Sequence, residues 1–436
     1  MWQLKTSARV VAALALAGLL AACGSATTGS VLGGAVATHG TVGIARVHRA
    51  SARSDAAVTT AASTAASTTS STTTGCASLS KATIVADKKH GLVPSAKTCA
   101  AYVKHADLLN GVSCVGGRCV AVGEYYYGKS GYTLAELLAG GKWRVQPSAS
   151  IAGEGALYGV SCTGSGHCLA VGGVVLDASG GRWRIASKDS DLLSVSCTGA
   201  DSCVAVGTSA NGRVPLFATW NGRDWHAGTM HAAPPQAQYL TVSGVSCASA
   251  DHCVAVGNYQ YGITAQPSPS NREQILAEQW NGRSWTLLPT VNIGHLNELN
   301  AVSCPSATDC TAIGSGTDSS PLAEQWNGKT WRVESVPTVN PVGTVQLAGV
   351  SCATAAFCVA TGNYQGLPIA EAWNGKRWRV SQLPQPASDN NFAELNADSC
   401  ASTSTCVAVG IYGAGDSFAE VYANGRWHLS ATRNPT

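Results

Sequence analysis

Cysteine spacing is the first chemistry this chain displays. Cys114, Cys162, Cys197, Cys247, Cys304, Cys352 and Cys400 are each followed, five or six residues later, by Cys119, Cys168, Cys203, Cys253, Cys310, Cys358 and Cys406. Antiparallel neighbours across a short turn lie close enough for a disulfide. As zinc ligands each pair would supply only two thiolates, and no second pair or histidine follows at ligand spacing. We therefore expect seven disulfides, no metal and no other cofactor. Cys76 and Cys99 make an eighth candidate pair, and Cys23 is left over among the 17 cysteines.

Two further sets of side chains could do chemistry. After a recurring Val-Gly come Glu124-Tyr125-Tyr126-Tyr127, Asn258-Tyr259-Gln260-Tyr261, Asn363-Tyr364-Gln365 and Ile411-Tyr412. Tyrosine pairs a flat apolar face with a hydroxyl, which suits stacking on sugars or gripping peptides. Tyr125, Tyr126, Asn258, Tyr259, Tyr261, Asn363, Tyr364 and Tyr412 are thus ligand-binding candidates; the competing role is to shield the end of a sheet. Glu136, Glu278, Glu324, Glu371 and Glu420 recur at one equivalent position. An active site is asymmetric, so a catalytic acid would occur once or twice. Recurrence argues for a fold role, and pairing with Lys or Arg of the neighbouring strand is expected. The serine before each first cysteine, from Ser113 to Ser399, falls to the same argument. None sits in a Gly-x-Ser-x-Gly elbow, and no residue is marked as catalytic.

These groups ride on a repeat. Residues 299–332 show its parts: a short alternating Leu-x-x-Val-Ser-Cys, a β-branched run after the second cysteine that stops at glycine, then Leu-Ala-Glu-Gln-Trp, Asn-Gly and a final Trp. First cysteines recur every 35 to 57 residues, most often 48, a period that signals a solenoid, a propeller or an array. Asn-Gly between alternating runs predicts a two-residue hairpin with both turn residues at positive φ. That register would set Trp280 opposite Arg283 and Glu278 opposite Trp285. With no ten-residue helical pattern between strands, each repeat reads as a four-stranded antiparallel meander. Seven of them predict an all-β, seven-bladed β-propeller over 108–436, with one disulfide per blade. A linear β-solenoid is the alternative, but its coils are usually shorter and more uniform. Blades should start near 108, 157, 192, 240, 299, 347 and 395, the third only 35 residues after the second.

The Trp-Asn-Gly-x-x-Trp turn resembles the Asp-box turn of sialidase-type and photosystem-assembly-factor-type propellers, which also joins the third and fourth strands. The resemblance spans 108–436 and implies the propeller fold. It departs from that family's pattern where an Asp is expected, since Trp220, Trp280, Trp326 and Trp373 stand there. The enzymology of the family is therefore not carried over.

Bulk composition narrows the partners. Charged residues are 12% of the chain, with 28 Lys plus Arg against 25 Asp plus Glu. No basic stripe gathers phosphates, so nucleic acid is not an expected partner. Residues 1–23 read as an export signal: Lys5 and Arg9, then an apolar run from Val10 to Leu20 too short for a permanent span. Its end, Leu20-Ala21-Ala22-Cys23, resembles a bacterial lipobox. That resemblance implies cleavage before Cys23 and diacylation of its thiol, hence a lipid anchor on the outer face of the cytoplasmic membrane; the protein is separately expected to be a monomer. Plain secretion is the alternative. Residues 24–75, rich in Ala, Ser, Thr and Gly, read as a disordered tether. Residues 76–107 read as a small cap closed by Cys76 and Cys99, a plug or clasp against the first blade.

Parity of the meander separates two faces. Connections one-to-two and three-to-four leave on a lower face tied down by disulfides and tight turns. Connections two-to-three and blade-to-blade leave on an upper face with long, variable segments, where binding sites usually lie. The sequence thus points to a recognition scaffold for an extracellular glycan, cell-wall fragment or protein rather than to an enzyme. The alternative is a sialidase-like glycoside hydrolase or lyase, which would need a one-off cluster of Asp, Glu, Arg or Tyr at the channel mouth.

Overall fold

The computed structural model describes residues 106–433 apart from short segments at 128–129, 152–154, 165, 189, 232–233, 263–271, 339–343, 388–391 and 414. Cys23, the export signal, the tether and the Cys76–Cys99 pair lie outside these residues. The described chain forms seven four-stranded antiparallel sheets, each with its strands in simple sequence order. We number these blades 1 to 7 over 107–145, 157–188, 192–229, 239–287, 298–334, 345–382 and 393–430. The first strands of successive blades pack on one another, and that of blade 7 packs on that of blade 1. The ring is closed, and the propeller expected from the repeats is the fold.

Closure comes from a hydrogen bond repeated at every junction. The serine of Val-Ser-Cys accepts from the backbone N–H of the first cysteine in the next blade. Ser113 takes Cys162, Ser161 takes Cys197, Ser196 takes Cys247 and Ser246 takes Cys304; Ser303 takes Cys352 and Ser351 takes Cys400, all at 2.9–3.0 Å. At the seam Ser399 takes Cys114 at 3.0 Å. An innermost strand has one unpaired edge, and a hydroxyl from the neighbouring blade satisfies part of it. Asn110, Asn300 and Asn396 add a second pin to the next blade, as in Asn396 Nδ2 to Leu109 O at 3.0 Å. No strand is shared between the termini; the seam is built like the other junctions.

Apolar packing follows the same rule. The seven core clusters coincide with the seven blade junctions, each uniting side chains from two adjacent blades. Leu109, Leu157, Leu299, Leu347 and Leu395, which open the Leu-x-x-Val-Ser-Cys stretch, are fully buried. The Val-Gly glycine was expected to stop the second strand, yet in blades 1, 4, 6 and 7 the strand runs on for two to four residues. Its role is clearance: a Cβ on Gly362 would lie 1.9 Å from the Gln346 carbonyl, and Gly257, Gly314 and Gly410 show the same approach. Tyr125, Tyr259 and Tyr364 therefore stand on strands rather than in loops.

All seven disulfides form within blades, Cys114–Cys119 through Cys400–Cys406, with Cα atoms 3.9–4.0 Å apart. The hairpin register differs from the expected one. Trp280 lies opposite Trp285, and Glu278 opposite Leu287. The turn takes four residues because Asn281 is not at positive φ; only Gly282 is, at +88°. Asn281 Oδ1 instead accepts from the N–H groups of Arg283 and Ser284, at 3.0 and 2.9 Å. A side chain that captures two backbone donors makes a wider turn preferable to the two-residue one. The wider turn sets two indoles opposite each other across the ladder, 5.5 Å apart between centroids with planes inclined at 45°.

Candidate functional site

The recurrent glutamates belong to the fold. All five are fully buried in the third strand, and their cross-strand neighbours are Val145, Leu287, Val333, Val380 and Leu429. The expected Lys or Arg partners are absent because the positions opposite are apolar. Glu136 accepts instead from the Arg433 N–H at 2.9 Å, and Glu278 from the His231 N–H at 3.2 Å, with His231 Nδ1 2.9 Å from its other oxygen. In both cases the donor belongs to the chain leaving the preceding blade, six residues past its outer tryptophan. At blades 6 and 7 that position is Pro337 and Pro384, which have no N–H. Neither oxygen of Glu324, Glu371 or Glu420 has a partner among the described residues. Burial pushes Glu324 up to about 7 and Glu371 and Glu420 up to about 8. Burial favours the protonated form of all three.

On the upper face the tyrosines divide. Tyr259 and Tyr364 are under 10% exposed and join the cores of blades 4 and 6. Tyr125 stacks on Tyr132 at 5.3 Å, and Tyr412 meets Phe418 edge-on at 5.8 Å, both half-buried. Tyr126 and Tyr261 are also half-buried, and Asn363 donates to Gln346 Oε1 at 3.3 Å while accepting from the Gly366 N–H. The rim is thus aromatic, with its rings partly spent on their own blades.

One polar cluster breaks the sevenfold pattern. At the upper end of blade 4, Asn258 Nδ2 and Gln260 Nε2 both donate to Glu273 Oε1, the latter at 2.6 Å. Glu298, which opens blade 5, is hydrogen-bonded to Ser315 and Asn300. Burial first, then the neighbouring Glu273 charge, raises Glu298 to about 7. Glu273 is raised as well, chiefly by burial. The connecting segment is laid along the third strand of blade 4: Glu273 N donates to His295 O at 2.8 Å and Asn297 N to Glu273 O at 3.0 Å. Two carboxyls that feel each other's charge, beside amide donors, can accept hydroxyls. Glu273 and Glu298 escaped sequence reasoning: Glu273 has no counterpart in the other blades, and Glu298 recurs only once, as Glu394 of blade 7.

A second exception is structural. Asp398 stands where the other six blades carry valine and is buried between blades 6 and 7. Thr361 Oγ1 donates to its Oδ1 at 3.1 Å, and Gly349 leaves it room, since a Cβ there would lie 2.7 Å from that oxygen. Arg144, Arg184, Arg332 and Arg379 all lie exposed on outermost strands. Among the described residues no group of three or more His, Cys, Asp or Glu is arranged to hold a metal ion.

No known family description matches the chain, and no curated protein does. Similar solved structures include YCF48 bound to a D1 peptide, at 13% identity and TM-score 0.47, covering 74% of this chain and 95% of that one. A mutant Aleuria aurantia lectin in complex with Fucalpha1-6GlcNAc is 10% identical at TM-score 0.45, covering 74% and 94%. The β-propeller domain of Cps50 (Swd1) from Myceliophteria thermophila is 10% identical at TM-score 0.48, covering 74% and 98%. These are likenesses of chain path alone.

Proposed function

We propose that this propeller is a recognition scaffold whose upper rim binds an extracellular glycan, cell-wall fragment or protein. One contrast carries the reading. Side chains that occupy one position in most blades are consumed by the fold, whereas Glu273, without a counterpart in the other blades, gathers Asn258, Gln260 and the neighbouring Glu298 at the upper end of blades 4 and 5. Tyr125, Tyr126, Tyr261, Tyr412 and Asn363 are the rim contacts, with Asn258, Tyr259 and Tyr364 behind them. A glycan array and a pull-down with the exported chain test this. We expect a ligand whose capture is lost in Tyr261→Ala and Glu273→Gln; capture indifferent to both would remove the rim from the account.

A glycoside hydrolase or lyase is the second reading, favoured by the coupling of Glu273 to Glu298. Turnover of a chromogenic glycoside, abolished in Glu298→Gln, would put it first. The Trp-Asn-Gly turn is proposed as an Asp-box relative in which asparagine supplies the capping oxygen, as the two bonds to Asn281 support. Seven disulfides fit an oxidising compartment and so an exported protein. Lipid anchoring at Cys23 of a monomer is proposed with it, and is checked by labelled palmitate that Cys23→Ala should fail to incorporate.

A further inference from the structure

One junction between consecutive blades has almost no connecting segment. The segments joining blades 1–2, 3–4, 4–5, 5–6 and 6–7 hold nine to eleven residues, but blade 2 ends at Lys188 and blade 3 begins at Leu192. Elsewhere the connecting segment helps cover the tryptophans of the next blade. Ala149 and Ile151 pack on the cluster holding Trp183, whose Nε1 donates to Gln146 at 3.1 Å. Leu288 does this for Trp326 and Trp331, and Val336 for Trp373 and Trp378. Those indoles, with Trp280 and Trp285, are 3–6% exposed. Trp220 and Trp225 of blade 3 receive no such cover and are only half-buried, their centroids 5.5 Å apart with planes inclined at 44°.

The gap is a groove of about 370 Å³, within the size range of small-molecule sites. Its walls carry matched charges. Asp177 and Arg184, cross-strand partners, come from blade 2; Arg223 and Asp224 come from the third hairpin turn of blade 3. Neither guanidinium forms an ion pair among the described residues, and Asp177 has only His167 near it, at 3.4 Å. Two arginines against two aspartates leave the groove neutral, so a charged ligand would oppose half of its wall. Each wall offers a donor fork next to an acceptor, which is the complement of vicinal hydroxyls, each both donor and acceptor. An inclined indole pair presents a platform to the C–H face of a ring, not a slot for a planar heterocycle.

We infer that the junction between blades 2 and 3 is a binding groove for a neutral pyranose. It is a different place from the upper rim and does not depend on the rim's role. The test titrates the intact exported chain with glucose, galactose, mannose, fucose and N-acetylglucosamine as methyl glycosides. It follows tryptophan fluorescence and saturation-transfer NMR. At least one sugar should bind saturably in the millimolar range, and Arg184→Ala should weaken it about tenfold. Ala186→Trp, which fills the groove without removing a charge, should do the same. Both positions are exposed, so folding is expected to survive, and circular dichroism checks it. Tyr261→Ala should leave this binding unchanged. The inference falls if no sugar binds, if a nucleoside or a lysine-rich peptide saturates the groove instead, or if Tyr261→Ala abolishes binding that Ala186→Trp leaves intact.

Discussion

At Glu371 and Glu420 the carboxyl is fully buried, lies opposite a valine or a leucine and meets no donor among the described residues. Burial holds both near 8, against 4.5 for the free group. A raised acid binds its proton more tightly folded than unfolded. Its contribution to stability is therefore fully present below pH 4.5 and is lost as pH climbs through 8. Glu371→Gln keeps the shape and removes the titration. We predict equal melting temperatures for parent and variant in acid and a more stable variant at about pH 9, by calorimetry across that range. A variant that lost stability equally at every pH would show that the carboxylate is ionised and paired. Recurrence set these residues apart in the sequence, but the apolar partners they face were not legible. Whether a proline or a donor stands at the facing position depends on which segment of the previous blade folds over, and that is tertiary information.

A strand hairpin is governed by its turn, and here the turn chemistry overruled the turn spacing. Asn327 Oδ1 accepts from Lys329 N at 3.0 Å and Thr330 N at 2.9 Å, as Asn281 and Asn374 do in their own turns. Removing that oxygen in Asn327→Ala should lower stability by about 1 kcal/mol, while Asn327→Asp, which keeps it, should stay near the parent in urea melts. Each disulfide is a second local clip: Cys352→Ser with Cys358→Ser should cost roughly 2 kcal/mol by the loop-closure argument for so short a ring. Strands, disulfides and blade starts could be read from the sequence because alternation and cysteine spacing are local. The Trp280 to Trp285 pairing could not, since Asn-Gly is compatible with both a two-residue and a four-residue connection. The short second-to-third spacing was visible in the sequence as 35 residues. That it strips cover from Trp220 and Trp225 emerges only once neighbouring junctions are compared.

For the whole molecule, the governing feature is a cycle of identical contacts with no privileged end. Seven apolar junctions and seven serine-to-cysteine bonds circle the axis, and the seam uses the same two devices as the rest. Packing between blades at the seam follows from repeats that each run from first strand to fourth; the serine-to-cysteine bond that accompanies it was not legible in the sequence. What recurs around the ring holds it together, and departures from the repeat stand out against it. The proposed ligand sites rest on two departures from it, the carboxyl of Glu273 beside Glu298 and the half-buried Trp220 and Trp225. Calorimetric unfolding of Ser399→Ala beside Ser303→Ala tests closure most directly. A closed cooperative ring predicts one transition in each and the same loss, about 1 kcal/mol, at the seam as at an interior junction. A silent Ser399→Ala, or unfolding in separate steps, would contradict it.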